Sequence, residues 1–225
     1  MIQNDWVKHA FGVITGGFCF FTLILPPVAL FGKTELGMAV ALLLFPLLFF
    51  FGSFLPCLFF CGKKVLSELE LKLPEQKDIL YAFLAIPLFC LFAGITAVFK
   101  ICGVQISPQP LASFAGSCSD GMFFLILITA GILAPVAEEL AYRKVIFQFF
   151  QTIFSSEFLL PCFFASFLFA VSHGINWHSL LLFFFSVSLQ LIRSGRSLVC
   201  AMLTHIVFNW CSLIMLCIVR AGILS

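Results

Sequence analysis

Charge is what this sequence has least of. Asp, Glu, Lys and Arg together make up 10% of its 225 residues, while 62% are apolar. A soluble domain carries roughly 25% charged residues. A chain this apolar has no polar shell to hold it in water, which leaves the membrane class. Net charge is also small, at +2, and that argues against a nucleic-acid partner gripped by electrostatics. Metal-finger and redox spacings are missing too: of ten cysteines, no two are separated by just two residues. Most lie in apolar runs, where Cys behaves as a small hydrophobe and no redox compartment follows. There is no internal repeat, no low-complexity segment beyond the bias to 32 phenylalanines, and no gap long enough for a linker. A single membrane domain, residues 1–225, is expected.

What is present is a series of apolar runs, and a bilayer core takes about 20 such residues per helix. The runs cover 10–31 (interrupted by Pro26-Pro27), 37–60 (with Pro46 and Pro56), 79–104, and 121–137, which leads into Glu138-Glu139. A helical stretch to about 154 follows, then a polar turn at Ser155-Ser156-Glu157 and runs at 158–172, 180–192 and 197–219. Lys8 precedes the first run as in a signal peptide, but the run exceeds the ~7–15 residues of a secretory h-region and reads as a transmembrane anchor. The expected fold is an all-α integral membrane protein, a polytopic bundle of about eight transmembrane helices, with seven as the alternative count. Eight requires residues 136–154 to form their own helix, broken from the preceding run at Pro135. Lys8 and the four Lys of 63–77 then set the amino terminus in the cytoplasm. The carboxyl terminus joins it, and Arg193 and Arg196 fall outside. Seven spans would instead put Glu138 and His173 on opposite bilayer faces.

Ionisable groups inside a membrane domain are costly and usually face a cavity or a partner. They concentrate in the second half of the chain. Glu139 and Arg143 are four apart, on one helix face in the favourable order, so they form an expected internal ion pair. Glu138 points about 100° away around the helix and is left free. Phe169 and His173 repeat the four-residue spacing, as do His205 and Asn209. The turn near Ser156 lies 17 residues from both Glu139 and His173. In an antiparallel hairpin both would sit about 25 Å from that turn. Glu138, His173, His205 and Asn209 are thereby expected to converge on one buried cavity.

The set Glu138-Glu139-x-x-x-Arg143, Phe169-x-x-x-His173 and His205-x-x-x-Asn209 resembles the CPBP family, the type II CAAX prenyl endopeptidases and their bacteriocin-processing relatives. The resemblance covers a catalytic core of about 120–220, and the first hundred residues carry no comparable signature. Tyr142 stands where Phe is usual, and Lys144 where Gly often follows the Arg, a change expected to alter the cavity mouth. The resemblance implies an intramembrane endopeptidase acting on a membrane-associated protein or peptide, lipidated substrates included. It implies Glu138 as the base that activates water, His173 as a holder of that water, and His205 and Asn209 as oxyanion donors, with Glu139, Arg143 and Phe169 in support. Fixed donors of this kind supply the largest single stabilisation in acyl transfer. Alternatively, Glu138, His173 and His205 could bind Zn²⁺ or another divalent ion and acidify its water. The His-Glu-x-x-His pair of soluble zinc enzymes is lacking, so the sequence does not choose. No organic cofactor and no nucleic acid are expected, and the site is expected to open toward the cytoplasm. Two other classes stay open: a non-catalytic scaffold or immunity factor of the same family, and a small-solute transporter, although no repeated halves are seen.

Overall fold

In hydrocarbon every backbone polar group must be satisfied internally, and this chain does so with helices. The computed structural model describes residues 2–20, 34–104, 114–155 and 157–222. Pro26-Pro27, Lys33, Ser156 and most of the Ser/Pro/Gly-rich loop lie outside the described residues. Seven helices are present among those described: α1 (Ile2–Cys19), α2 (Glu35–Glu68), α3 (Gln76–Ile101), α4 (Asp120–Ile153), α5 (Leu159–Ser172), α6 (Trp177–Gly195) and α7 (Leu198–Arg220). Four of them, α2, α3, α4 and α7, are long and apolar enough to cross a membrane. Hydroxyl and amide side chains start them. Thr34 Oγ1 accepts from Gly37 N–H, Ser197 Oγ from Cys200 N–H, and Asn176 and Ser179 cap the start of α6 reciprocally. Each cap satisfies backbone donors that the first turn leaves free.

The helices run between two chemically distinct ends. α1 lies antiparallel to α2, with His9 against Phe60 at 4.9 Å between ring centroids. Gly52 permits the close approach, since a Cβ there would fall 2.8 Å from Ile14 Cγ1. One end collects the charged segment after α2, Lys144 of α4 and the α6–α7 turn. Glu70 takes Lys144 Nζ at 2.5 Å and Arg193 Nη2 at 2.8 Å, and Arg196 reaches Asp78 at 3.5 Å. The opposite end collects the starts of α2 and α4 and the end of α7. There Glu35 accepts from the Ser119 N–H and hydroxyl at 2.5 and 2.7 Å, and Arg220 donates to Ala115 O, Cys118 O and Asp120.

This arrangement corrects the expected path in three places. Arg193 and Arg196 join the Lys-rich segment instead of facing away from it. Arg220 lies at the end opposite that segment, so the last described residues of α7 are not beside α1's start. The third correction is at Pro135, where α4 does not break. A π-helical turn, Thr129–Leu133, precedes the proline, and Ala134 N–H reaches back five residues to Thr129 O. The next bond in that pattern would run from residue 135 to Ala130 O, but proline has no N–H. Asn209 of α7 fills the gap, donating Nδ2–H to Ala130 O at 2.8 Å. The helix therefore continues as one element, and seven helices stand among the described residues, the lower of the two expected counts.

At about 1.5 Å per residue, α4 is about 51 Å long, well beyond the ~30 Å hydrocarbon core. Its second half still forms the expected hairpin with α5. Tyr142 meets Phe169 at 5.2 Å and Phe150 stacks on Phe164 at 5.2 Å. Matched depth for Glu138 and His173 thus comes from the length of α4 and needs no eighth helix. Phenylalanine supplies much of the packing: Phe11 of α1 stacks on Phe149 at 3.7 Å, and Phe185 on Phe208 at 4.1 Å. Others, such as Phe59 at 83% exposure, face outward and suit contact with lipid.

Candidate active site

The site begins with an irregular stretch of α4. Residues Ala134–Glu138 are α-helical, and Glu139–Ile146 continue as a π-helix in which every residue is buried. Such widened turns recur at functional sites because they re-aim side chains without ending the helix. The two glutamates straddle the change.

Glu139 is fully buried and forms the expected ion pair with Arg143, Nε to Oε2 at 3.1 Å. Its other oxygen does something the sequence did not suggest: Oε1 accepts from His205 Nδ1 at 2.9 Å. A carboxylate held by a guanidinium stays ionised, so the Nδ1 of His205 carries the proton of that bond and its Nε2 points the other way. On that side stands Glu138, Oε2 to Nε2 at 3.7 Å, with its side chain 16% exposed. The two neighbouring glutamates therefore divide their work. Glu139 orients the imidazole, and Glu138 faces its second nitrogen from a position that retains some access.

Arg143 is anchored from three helices. Besides Glu139, its Nη1–H donates to Ser186 Oγ of α6 at 2.9 Å, and its guanidinium lies 5.1 Å from the Phe169 ring centroid on α5. Phe169 is the common floor of the site. Tyr142 and His205 meet it edge-on at 5.2 and 5.9 Å, and His173 lies tilted over it at 4.8 Å. His173 and His205 thus lie against one aromatic ring. Their polar partners differ, however. His173 Nδ1 does not donate to a distant carboxylate; it donates to the Phe169 carbonyl at 2.9 Å, one turn back. That bond fixes the ring at the end of α5.

Asn209 sits one turn beyond His205 and spends one N–H on the Ala130 carbonyl. Its second N–H is the one available for another acceptor. Lys144 departs most from expectation. Instead of lining a mouth, it is 3% exposed and bonded to Glu70.

A divalent ion held by Glu138, His173 and His205 would need three donors about 2.0–2.2 Å from one point. Glu138 and His205 face each other, but His173 is not gathered with them: among the described residues no group of three or more His, Cys, Asp or Glu side chains is placed to hold a metal. The donor set falls short of a three-ligand site.

Residues 120–211 match the family model of the type II CAAX prenyl endopeptidase Rce1-like proteins. Over this segment the chain is similar to the CPBP family. The matched segment contains all three motifs and every site residue named above except Glu70. No curated protein and no solved structure matches the chain. Within the matched segment, sequence spacing identified the Glu139–Arg143 pair and the shared helix face of His205 and Asn209. It missed Ser186, a lone hydroxyl in an apolar helix, and the Glu139–His205 bond, which joins residues 66 apart.

Proposed function

We propose that the protein is an intramembrane endopeptidase that hydrolyses a peptide bond of a membrane-associated protein or peptide, with Glu138 as general base. The single observation that carries this reading is the Glu138–His205–Glu139 arrangement, buried in an apolar bundle and anchored by Arg143. Two carboxylates and one guanidinium leave one negative charge uncompensated. His205 stands between the two carboxylates with one ring nitrogen toward each.

In the proposed reaction a water beside Glu138 gives it a proton as its oxygen attacks the scissile carbonyl. The carbonyl oxygen becomes an oxyanion and is met by His205 Nε2–H and the second N–H of Asn209. The tetrahedral intermediate collapses, the C–N bond breaks, and Glu138 returns its proton to the departing amine. In this reading His173, which lies against the same Phe169 ring, holds the attacking water. A correctly placed general base contributes about 10²–10⁴-fold in rate, and one oxyanion donor about 2.7–4 kcal/mol.

The substrate class follows from the setting: a segment able to enter among apolar helices, with lipidated chains as natural candidates. The end bearing Lys63, Lys64, Lys72, Lys77, Arg193 and Arg196 is assigned to the cytoplasm by the excess of basic residues there. Glu138 lies six residues, about 9 Å, above Lys144 of that end, so cleavage on the cytoplasmic side is expected. Comparative proteomics of membranes carrying wild type or Glu138→Gln tests the reading. Peptide termini that vanish in the variant support it. Identical profiles at equal protein levels overturn it and favour a scaffold.

A further inference from the structure

An intramembrane hydrolase consumes one water per bond, and hydrocarbon supplies none. The inner face of α6 is unusual in this respect. Ser186, Gln190 and Arg193 recur at i, i+4 and i+7, one face of a helix rich in Leu and Phe. Ser186 accepts from Arg143, next to the site. Arg193 donates to Glu70 at the charged end. Between them, Gln190 is 0% exposed, and neither its Nε2 nor its Oε1 has a hydrogen-bond partner among the described residues. Arg143 Nη2 and the fully buried Ser166 Oγ of α5 are likewise unpartnered. Ser166 shares a face of α5 with Phe169, the ring beneath Arg143.

A dry amide or hydroxyl in an apolar interior is costly, and three such groups on three packed helices call for a common ligand. Its chemistry can be read from them. Gln190 offers both donor and acceptor, Ser166 does the same, and Arg143 offers only donors. A cation is refused by Arg143, and an anion gains little from the Gln190 carbonyl. A small neutral molecule that both donates and accepts satisfies all three, and that molecule is water. We propose that Arg143, Ser166, Ser186 and Gln190 bind a file of water between α4, α5 and α6 that links the charged end of the bundle to the Glu138–His205 site. Ser186 to Arg193 spans about 10 Å along α6, room for a few waters in series. The supply role rests on the peptidase reading; the bound water does not.

Hydroxyl-radical footprinting by pulsed radiolysis of the purified, full-length protein tests this, because radicals form at bound water even where bulk solvent does not reach. Cys162, buried one turn from Ser166, is the reporter. Wild type should show oxidation of Cys162, and Gln190→Leu should lower it several-fold while thermal stability holds or rises, since Leu removes an amide that the fold alone does not need. Unoxidised Cys162 in wild type, or equal oxidation in Gln190→Leu, overturns the proposal. Glu138→Gln should keep the footprint. Should its proteome also match wild type, the peptidase reading fails while the water file stands.

Discussion

At the scale of single residues, adjacent glutamates have opposite requirements, and substitution separates them. Glu139 is the only carboxylate on the fully buried Arg143 guanidinium among the described residues. Removing one partner of a buried pair leaves an uncompensated charge, at about 3–5 kcal/mol. Glu139→Ala is therefore expected to lower stability by that order, read as an earlier midpoint in detergent unfolding, with activity lost alongside. Glu138→Gln should keep the midpoint within about 1 kcal/mol, because its carboxylate meets only His205 at 3.7 Å, and lose cleavage about 10²–10⁴-fold. Equal destabilisation by both would contradict the division of roles. The sequence exposed half of this: a four-residue spacing pairs Glu139 with Arg143 and turns Glu138 away. It was silent on His205 as the second partner of Glu139, because contacts between helices leave no periodic trace, and on Lys144, whose partner Glu70 lies 74 residues earlier.

At the scale of elements, α4 shows why a proline in an apolar run is an ambiguous signal. Read alone, Pro135 ends or kinks a helix, and the sequence offered no sign that a π turn before it and an amide from α7 would carry the helix through. The apolar runs themselves were legible, as was the α4–α5 hairpin, because length and spacing fix both. The coupling of Pro135 to Asn209 makes a sharp prediction. In wild type, Asn209→Ala strands the Ala130 carbonyl and should cost about 1–3 kcal/mol. In a Pro135→Ala background the new N–H at 135 takes over that carbonyl, so Asn209→Ala should cost markedly less. A double-mutant cycle on unfolding free energies should give a coupling of about 1 kcal/mol or more. Additive effects would show that Asn209 does not serve the backbone of α4. Cleavage should fall in Asn209→Ala, since in the proposed reaction the same amide supplies its remaining N–H to the oxyanion.

At the scale of the whole molecule, the two ends differ in charge, and that difference sets both orientation and acid sensitivity. Reporter fusions check the first point: a tag after Arg220 is expected outside and one before α1 inside, reversing the common location that the sequence suggested for both. The second point centres on Glu70, which ties the segment after α2 to α4 and α6 through Lys144 and Arg193 and does so from a left-handed backbone conformation, φ 59°. Burial works against its ionised form, but bonds and attraction from Lys144 and Arg193 outweigh it and hold the carboxyl below its usual value. A carboxyl that ionises more readily in the folded state stabilises above its unfolded pKa of about 4.3, and that contribution drains away as pH falls through the lower folded value. The midpoint difference between wild type and Glu70→Gln is thus expected to be greatest near neutrality and to shrink below about pH 4.3. With its side chain 37% exposed, Glu70 is partly screened, so ~1 M salt should also narrow the gap. A gap that ignores both pH and salt would mean that the segment is held by its apolar contacts, such as the fully buried Leu69, and not by its charges.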